Sequence, residues 1–317
     1  MRLTLHVGLH KTGTTSIQHF LAHNQRELKE AGLIYPTSIF PNFKRQHSDM
    51  VRVAIEGGAA AVAAAVAPLK GCGDHVILSG ENLSGTRHVG LIVDGLRTVF
   101  DEIRFVMVIR NKADWLYSQY MHHLRFADYI VTVDSFTNHM RANPRKMFQL
   151  WSEHSDSGEL LIFEDHKKDI VKGFVKEILG LDVGTFKQLD KKSNVSLDYM
   201  SSTFLNALGE SKKDLNRARI MLTYAKIFGD DRYRFSVEDV IRAEINSRYA
   251  DENWIIEGRE NIAPRICALE PANVMQVDRE FTKKFMKFVA ELSRMVTLKN
   301  GIAGSRREGA IDRVDPS

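Results

Sequence analysis

Residues 8–16 read GLHKTGTTS, and the place of their single lysine decides how the chain is read. Gly8, four residues, Gly13 and then Thr14-Thr15 nearly reproduce the phosphate-cradling pattern Gly-x4-Gly-Lys-Ser/Thr, but threonine holds position 14 and the lysine comes three residues earlier, at Lys11. Upstream, Leu3 to Leu9 is apolar and meets Gly8 and Gly13, as a buried parallel strand does when it runs into a turn. Downstream, Ile17, Phe20, Leu21 and Leu28 recur at helical spacing until Gly32, a natural stop. The loop thus lies between a strand and a helix N-terminus, where unsatisfied backbone N–H groups and the helix dipole attract an anion. Gly13 permits close backbone approach, and Thr12, Thr14, Thr15 and Ser16 are expected to add hydroxyl donors at the same corner. The plainer alternative is an ordinary turn with Thr14 or Thr15 as N-cap.

Working outward, further strand-like runs fall at His75 to Leu78, Arg104 to Ile109 and Glu159 to Phe163, separated by helical patterns around 89–100, 112–126 and 143–153. Strands alternating with helices imply an α/β fold, a three-layer sandwich with a central parallel sheet and helices on both faces. After about Asp165 the pattern is helical, over 167–179, 197–209, 212–227, 237–249 and 277–297. The expected division is an α/β core over 1–200, a helical extension over 201–298 that packs on it and shapes an acceptor site, and a flexible tail over 299–317, where apolar periodicity is lost.

Composition narrows the function classes. The chain has 317 residues, 44% of them apolar, enough to fill one large core. A formal charge of +4 on that length gives no general field for nucleic acid, so an anion site must come from placed residues. Cys72 and Cys267 stand far apart with no metal-like spacing, which predicts neither a disulfide framework nor a zinc site and favours a reducing compartment. The start MRLTLHVGL enters a strand without the pattern of a signal peptide, and the Ala-rich stretch 59–69 falls short of the roughly 18 apolar residues of a membrane span. The expectation is a soluble, cytoplasmic protein without a membrane span or nucleic-acid partner; its oligomeric state is not legible.

The segment FVMVIRNKADWLYSQYMHH ends a strand in Arg110 and places Ser118 eight positions on, in the next helix. An arginine at the C-terminal edge of a parallel strand sits where open sheets bind ligands, and its guanidinium can grip phosphate through two charge-assisted bonds. The competing reading pairs Arg110 with Asp114 and turns Ser118 toward a neighbouring helix. A cation at that strand end is also unsuited to a metal site, and none is expected. Glu164 and Asp165 close the last strand, where an acidic element could support a metal, but capping of the following helix is the expectation.

At these residues the chain resembles the sulfotransferases that use 3′-phosphoadenylyl sulfate (PAPS). HKTGTTS is similar to that family's 5′-phosphosulfate loop, in which the lysine precedes the glycine, and Arg110 with Ser118 match its 3′-phosphate motif in context and spacing. The resemblance covers about residues 3–200 and implies a P-loop NTPase-like sulfotransferase fold. It implies a PAPS donor held by His10, Lys11, Thr12, Gly13, Thr14, Thr15, Ser16, Arg110 and Ser118, with adenosine 3′,5′-bisphosphate as product and no metal required. In HVILSGENLSG, Glu81 follows a strand and is similar in placement to the general base of the heparan-type branch, so the implied catalytic pair is Lys11 and Glu81; the cytosolic phenol- and steroid-type branch uses a histidine as base instead, and the plainer reading makes Glu81 a loop carboxylate bonded to local N–H groups. That branch also suggests the acceptor, a hydroxyl or amine on a small molecule or glycan, with a carbohydrate or glycolipid preferred. His10 stands where many members have proline. His47 is expected in a solvated loop, and His122 and His123 on a helix surface or in packing. The family's late Gly-rich basic loop has no clear counterpart: Lys191, Lys192, Ser193 and Asn194 lie at the right place without its glycine and arginine, and Arg306, Arg307 and Gly309 fall in the tail. The alternatives from other classes are a P-loop kinase using Mg-ATP and a non-catalytic nucleotide-binding protein.

Overall fold

The computed structural model describes residues 1–39, 46–127, 129–140, 142–187, 197–208, 217–229, 236–269 and 279–308, with side chains to 295 in the last segment. Five strands, β1 (Arg2–Gly8), β2 (Leu33–Ile34), β3 (His75–Gly80), β4 (Glu102–Ile109) and β5 (Ser157–Ile162), form one sheet in the order β2-β3-β1-β4-β5. Every pairing is parallel, with Val7 opposite both Gly80 and Met107, so β1 lies between the strands that carry Glu81 and Arg110 at their ends. The α/β expectation is met, and the strands at 75, 104 and 159 fall where periodicity put them. The two-residue β2 was missed, since so short a strand has no period to read.

Alternation along β4 sets the layers. Val106 and Val108 pack with Ile17, Phe20 and Leu21 of α1 (Thr14–His23) and with Phe174 and Val175, just after α8 (Ile170–Gly173). Phe105 points the other way, onto Phe148 and Trp151 of α7 (Pro144–His154), with ring centroids 5.0 and 6.2 Å away. Helices on both faces of a parallel sheet account for its nearly continuous apolar strands.

The helix expected over 14–32 is two, α1 and α2 (Gln25–Glu30). Buried Asn24 separates them: its Nδ2 donates to the Phe20 carbonyl and its Oδ1 accepts from the Lys187 backbone N–H, 163 residues away. α3 (Asp49–Val66) extends well upstream of the Ala-rich stretch. By length and apolar composition alone, Asp49–Leu69 is sufficient to cross a membrane, a test the 59–69 window fails. Gly58, at φ 65 and ψ −162, breaks the helix midway, and buried Met50, Ala54, Val62 and Val66 face the interior. Val62 meets Gly95 of α4 (Val89–Leu96) so closely that a Cβ on Gly95 would lie 2.6 Å from it.

Two compact units divide the chain, each discontinuous in sequence: Met1–Leu116 with Arg141–Leu189 and Asn246–Leu269, and Tyr117–Met140 with Asp190–Ile245 and Glu270–Ser317. This differs from a single boundary at 200, because α5 (Lys112–Phe126) starts in the first unit and ends in the second, and the chain returns to the first unit at 246, where α12 (Ala263–Cys267) lies. The second unit holds α6 (Val133–His139), α9 (Tyr199–Ala207), α10 (Arg217–Phe228), α11 (Ser236–Ser247) and α13 (Arg279–Glu308). Its core joins Leu205, Ile220, Tyr224, Phe228, Phe281 and Phe288. Buried Asp198 caps α9 at Ser201 N–H and accepts the Tyr224 hydroxyl at 2.8 Å. α13 continues to Glu308, so residues 299–308 of the expected flexible tail are helical; local apolar periodicity is not required for a helix already propagating. Residues 191–194, 309 and the rest of the tail lie outside the described residues, as do the side chains of Arg306 and Arg307.

Candidate functional site

The loop after β1 is shaped by its own backbone. Lys11 is at φ 64 and Gly13 at φ 86, two left-handed residues within three positions, and the first has a side chain that must tolerate it. Thr12 donates its hydroxyl to the Leu9 carbonyl at 2.6 Å and Thr14 does so at 3.3 Å, both fully buried. These two hydroxyls lock the turn from inside, which corrects the expectation that they serve as donors to a ligand. A threonine spends its single O–H once. Thr15 is exposed and Ser16 half-buried. Gly13 is the N-cap of α1 and, among the described residues, no side chain caps that helix; Ser16 N–H donates to the Gly13 carbonyl at 2.9 Å, and the turn before it is where a helix N-terminus can receive an anion.

Gly13 has a second constraint. A Cβ there would lie 2.7 Å from Ile170 Cγ2. Gly13→Ala is therefore expected to cost about 2–3 kcal/mol, from left-handed strain plus that overlap, and to lower the melting temperature by several degrees. Adding Ile170→Ala should remove the overlap but not the strain; a single variant that melts like the parent would refute this account.

Neighbouring strands supply the surroundings. Arg110, at the end of β4, donates from Nη1 to the Lys11 carbonyl at 3.0 Å and sets its guanidinium over the Phe163 ring, 4.8 Å from the centroid. Trp115 of α5 donates from Nε1 to the His10 carbonyl at 2.6 Å and packs on Trp254, 5.4 Å between centroids. Consecutive loop carbonyls are thus held by two side chains from one strand-to-helix connection. Glu164 does not cap its own helix. Its Oε1 accepts from the Asn111 N–H at 3.0 Å, and burial pushes its carboxyl above the usual range. Asp165 pairs with Arg265, and the cap of α8 is Asp169.

On the other side of β1, Glu81 follows β3 directly. Its N–H donates to Ser48 Oγ at 2.9 Å and its carbonyl accepts the Ser84 hydroxyl at 3.0 Å, which fixes the backbone while the side chain stays 27% exposed. Oε2 lies 3.4 Å from His10 Nδ1. The sequence could place Glu81 at a strand end but could not pair it with a loop 71 positions earlier.

Two histidines sit beneath this corner. His6 on β1 is buried, with Nδ1 2.8 Å from Ser79 Oγ, and Gln18 donates to the same oxygen at 3.2 Å. Desolvation lowers its pKa to about 4, against a smaller raising influence from Glu81. His47 is buried rather than in a solvated loop. Ser79 N–H donates to its Nδ1 at 2.9 Å, so Nε2 carries the proton and donates to the Pro36 carbonyl at 2.7 Å. Burial lowers its pKa to about 4 as well, with the backbone bonds at Pro36 and Ser79 acting in the opposite direction. Both rings are hydrogen-bonded to Ser79 of β3.

No family model and no curated protein sequence matches the chain. A solved structure of a sulfotransferase from Alicyclobacillus acidocaldarius is similar at 13% identity, covering 66% of this chain and 94% of that one, with a TM-score of 0.38.

Of the predicted site residues, the first unit brings together the 10–16 loop, Arg110 and Glu81, from the ends of three adjacent strands. Ser118 is half-buried on α5 but belongs to the second unit, so its expected partnership with Arg110 stays a sequence inference. His122 and His123 are in packing, against Phe126 and Phe136 respectively, at 5.0 and 5.4 Å. Trp115 and Ser48 were missed. Trp115 reads as an apolar helix position, and only the fold reveals the use of its N–H.

Proposed function

We propose that this chain is a sulfotransferase that moves a sulfuryl group from PAPS to a hydroxyl acceptor, with a carbohydrate or glycolipid as the preferred class. The observation that carries the reading is the convergence of the Lys11 loop, Arg110 and Glu81 at the carboxyl ends of β1, β4 and β3, the crevice where open parallel sheets bind ligands. The N-terminus of α1, which no described side chain caps, suits a 5′-phosphosulfate. Lys11 stabilises charge on the bridging oxygen and the departing phosphate, a role that needs the ammonium beside the turn rather than at its end.

Arg110 takes the 3′-phosphate; Ser118 enters only as the second residue of that sequence motif. A guanidinium has five N–H donors, so one bond to the Lys11 carbonyl is compatible with this grip and ties it to the loop. In the reaction the acceptor oxygen bonds to sulfur, the bond from sulfur to the bridging phosphate oxygen breaks, and the acceptor proton passes to the Glu81 carboxylate. The products are the sulfated acceptor and adenosine 3′,5′-bisphosphate.

Calorimetry tests the donor. Adenosine 3′,5′-bisphosphate is expected to bind with a Kd of about 10 μM or tighter, and ATP with magnesium at least about tenfold more weakly, because only the former offers a 3′-phosphate. Tight ATP binding without bisphosphate binding would replace this reading with that of a P-loop kinase.

A further inference from the structure

One loop residue is doubly engaged. His10 presents its carbonyl to buried Trp115 at 2.6 Å and its ring to Glu81, Nδ1 to Oε2 at 3.4 Å. The next carbonyl, that of Lys11, is held by Arg110, and the left-handed turn at Lys11 separates the two. The peptide bearing His10 is therefore anchored from below, and its ring, 49% exposed, projects toward the strand end that carries Glu81.

Glu81 needs such a partner. Its backbone is fixed by Ser48 and Ser84, but a glutamate side chain keeps three rotors beyond that anchor, and a base gains from being held in one. We propose, resting on the sulfotransferase reading, that His10 is a positioning residue that acts through Glu81. With Nδ1 protonated it holds Oε2, a contact that tightens in the reacting complex, and leaves Oε1 to take the acceptor proton. The same loop then grips the donor through Lys11 and orients the base through His10, so donor binding and base alignment share one backbone. A proline at position 10 could shape the turn but could not do this.

The test uses the full chain, with release of adenosine 3′,5′-bisphosphate from PAPS and water as the acceptor, beside calorimetry of the bisphosphate. His10→Ala should lower kcat roughly tenfold to a hundredfold while the bisphosphate Kd, to which position 10 contributes through a loop backbone that alanine keeps, stays within about threefold. His10→Asn, whose Nδ2 can stand in for Nδ1, should recover most of the rate. In a Glu81→Gln background, His10→Ala should add little, because a residue acting through another has no effect once the other is gone. Unchanged kcat in His10→Ala, a loss that appears equally in the bisphosphate Kd, or full additivity with Glu81→Gln would each overturn the inference and leave the sulfotransferase reading standing. A parent chain that binds no bisphosphate would overturn both.

Discussion

Under the proposed function, Lys11→Ala is expected to lower sulfuryl transfer by about 10²–10³-fold, or roughly 3–4 kcal/mol of barrier, the usual loss when one charge stabiliser at a developing anion is removed. The fold should survive. Alanine and lysine both have a Cβ, so the left-handed backbone at φ 64 is no more strained in the variant, and the carbonyl that Arg110 holds is unchanged. The melting temperature should move by no more than about 2 °C. Lys11→Gly is the contrasting variant: it should lose the same rate yet relieve about 1 kcal/mol of backbone strain, partly offset by the greater freedom of the unfolded chain. Turnover of Lys11→Ala within a few-fold of the parent would remove the lysine from the mechanism.

Acid should unfold this protein earlier than its carboxylates alone would dictate. His6 and His47 both titrate near 4 in the folded chain against 6.5 ordinarily, desolvation being the main cause in each. Between those values the unfolded state binds protons that the folded state does not, so stability rises with pH there. Their contribution is complete above about 6.5 and is lost as pH falls toward 4, amounting to up to about 3 kcal/mol for each.

At pH 5 the two together should have removed roughly 4 kcal/mol, enough to lower the melting temperature by about 10 °C in a chain of this size. Both reach Ser79, one through its hydroxyl and the other through its N–H, so they are close enough for their effects to couple. Melts at pH 7, 6 and 5 on His47→Gln and His6→Asn check this. Each variant should be less stable at pH 7 and show a flatter slope; a slope equal to the parent's would place the acid sensitivity elsewhere.

Much of the candidate site's placement was legible because its signals are local. A strand that runs into glycines and hydroxyls before a helical period marks a strand-to-helix loop, and Arg110 and Glu81 mark strand ends by closing apolar runs. What the residues at those places do depends on partners far along the chain. Thr12 and Thr14 read as ligand donors and prove to be internal locks, Glu164 reads as a cap and proves to support Asn111, and His47 reads as solvated and is buried against Ser79.

The sequence by itself determined the alternation of strands and helices, and with it a parallel sheet whose carboxyl edge carries Lys11, Glu81 and Arg110, because periods of two and near four are written in consecutive side chains. Only the tertiary structure decided that β1 lies between β3 and β4, and this order set His10 beside Glu81 and Lys11 against Arg110. Strand order depends on which apolar faces bury one another across the whole chain, and no local window contains that information.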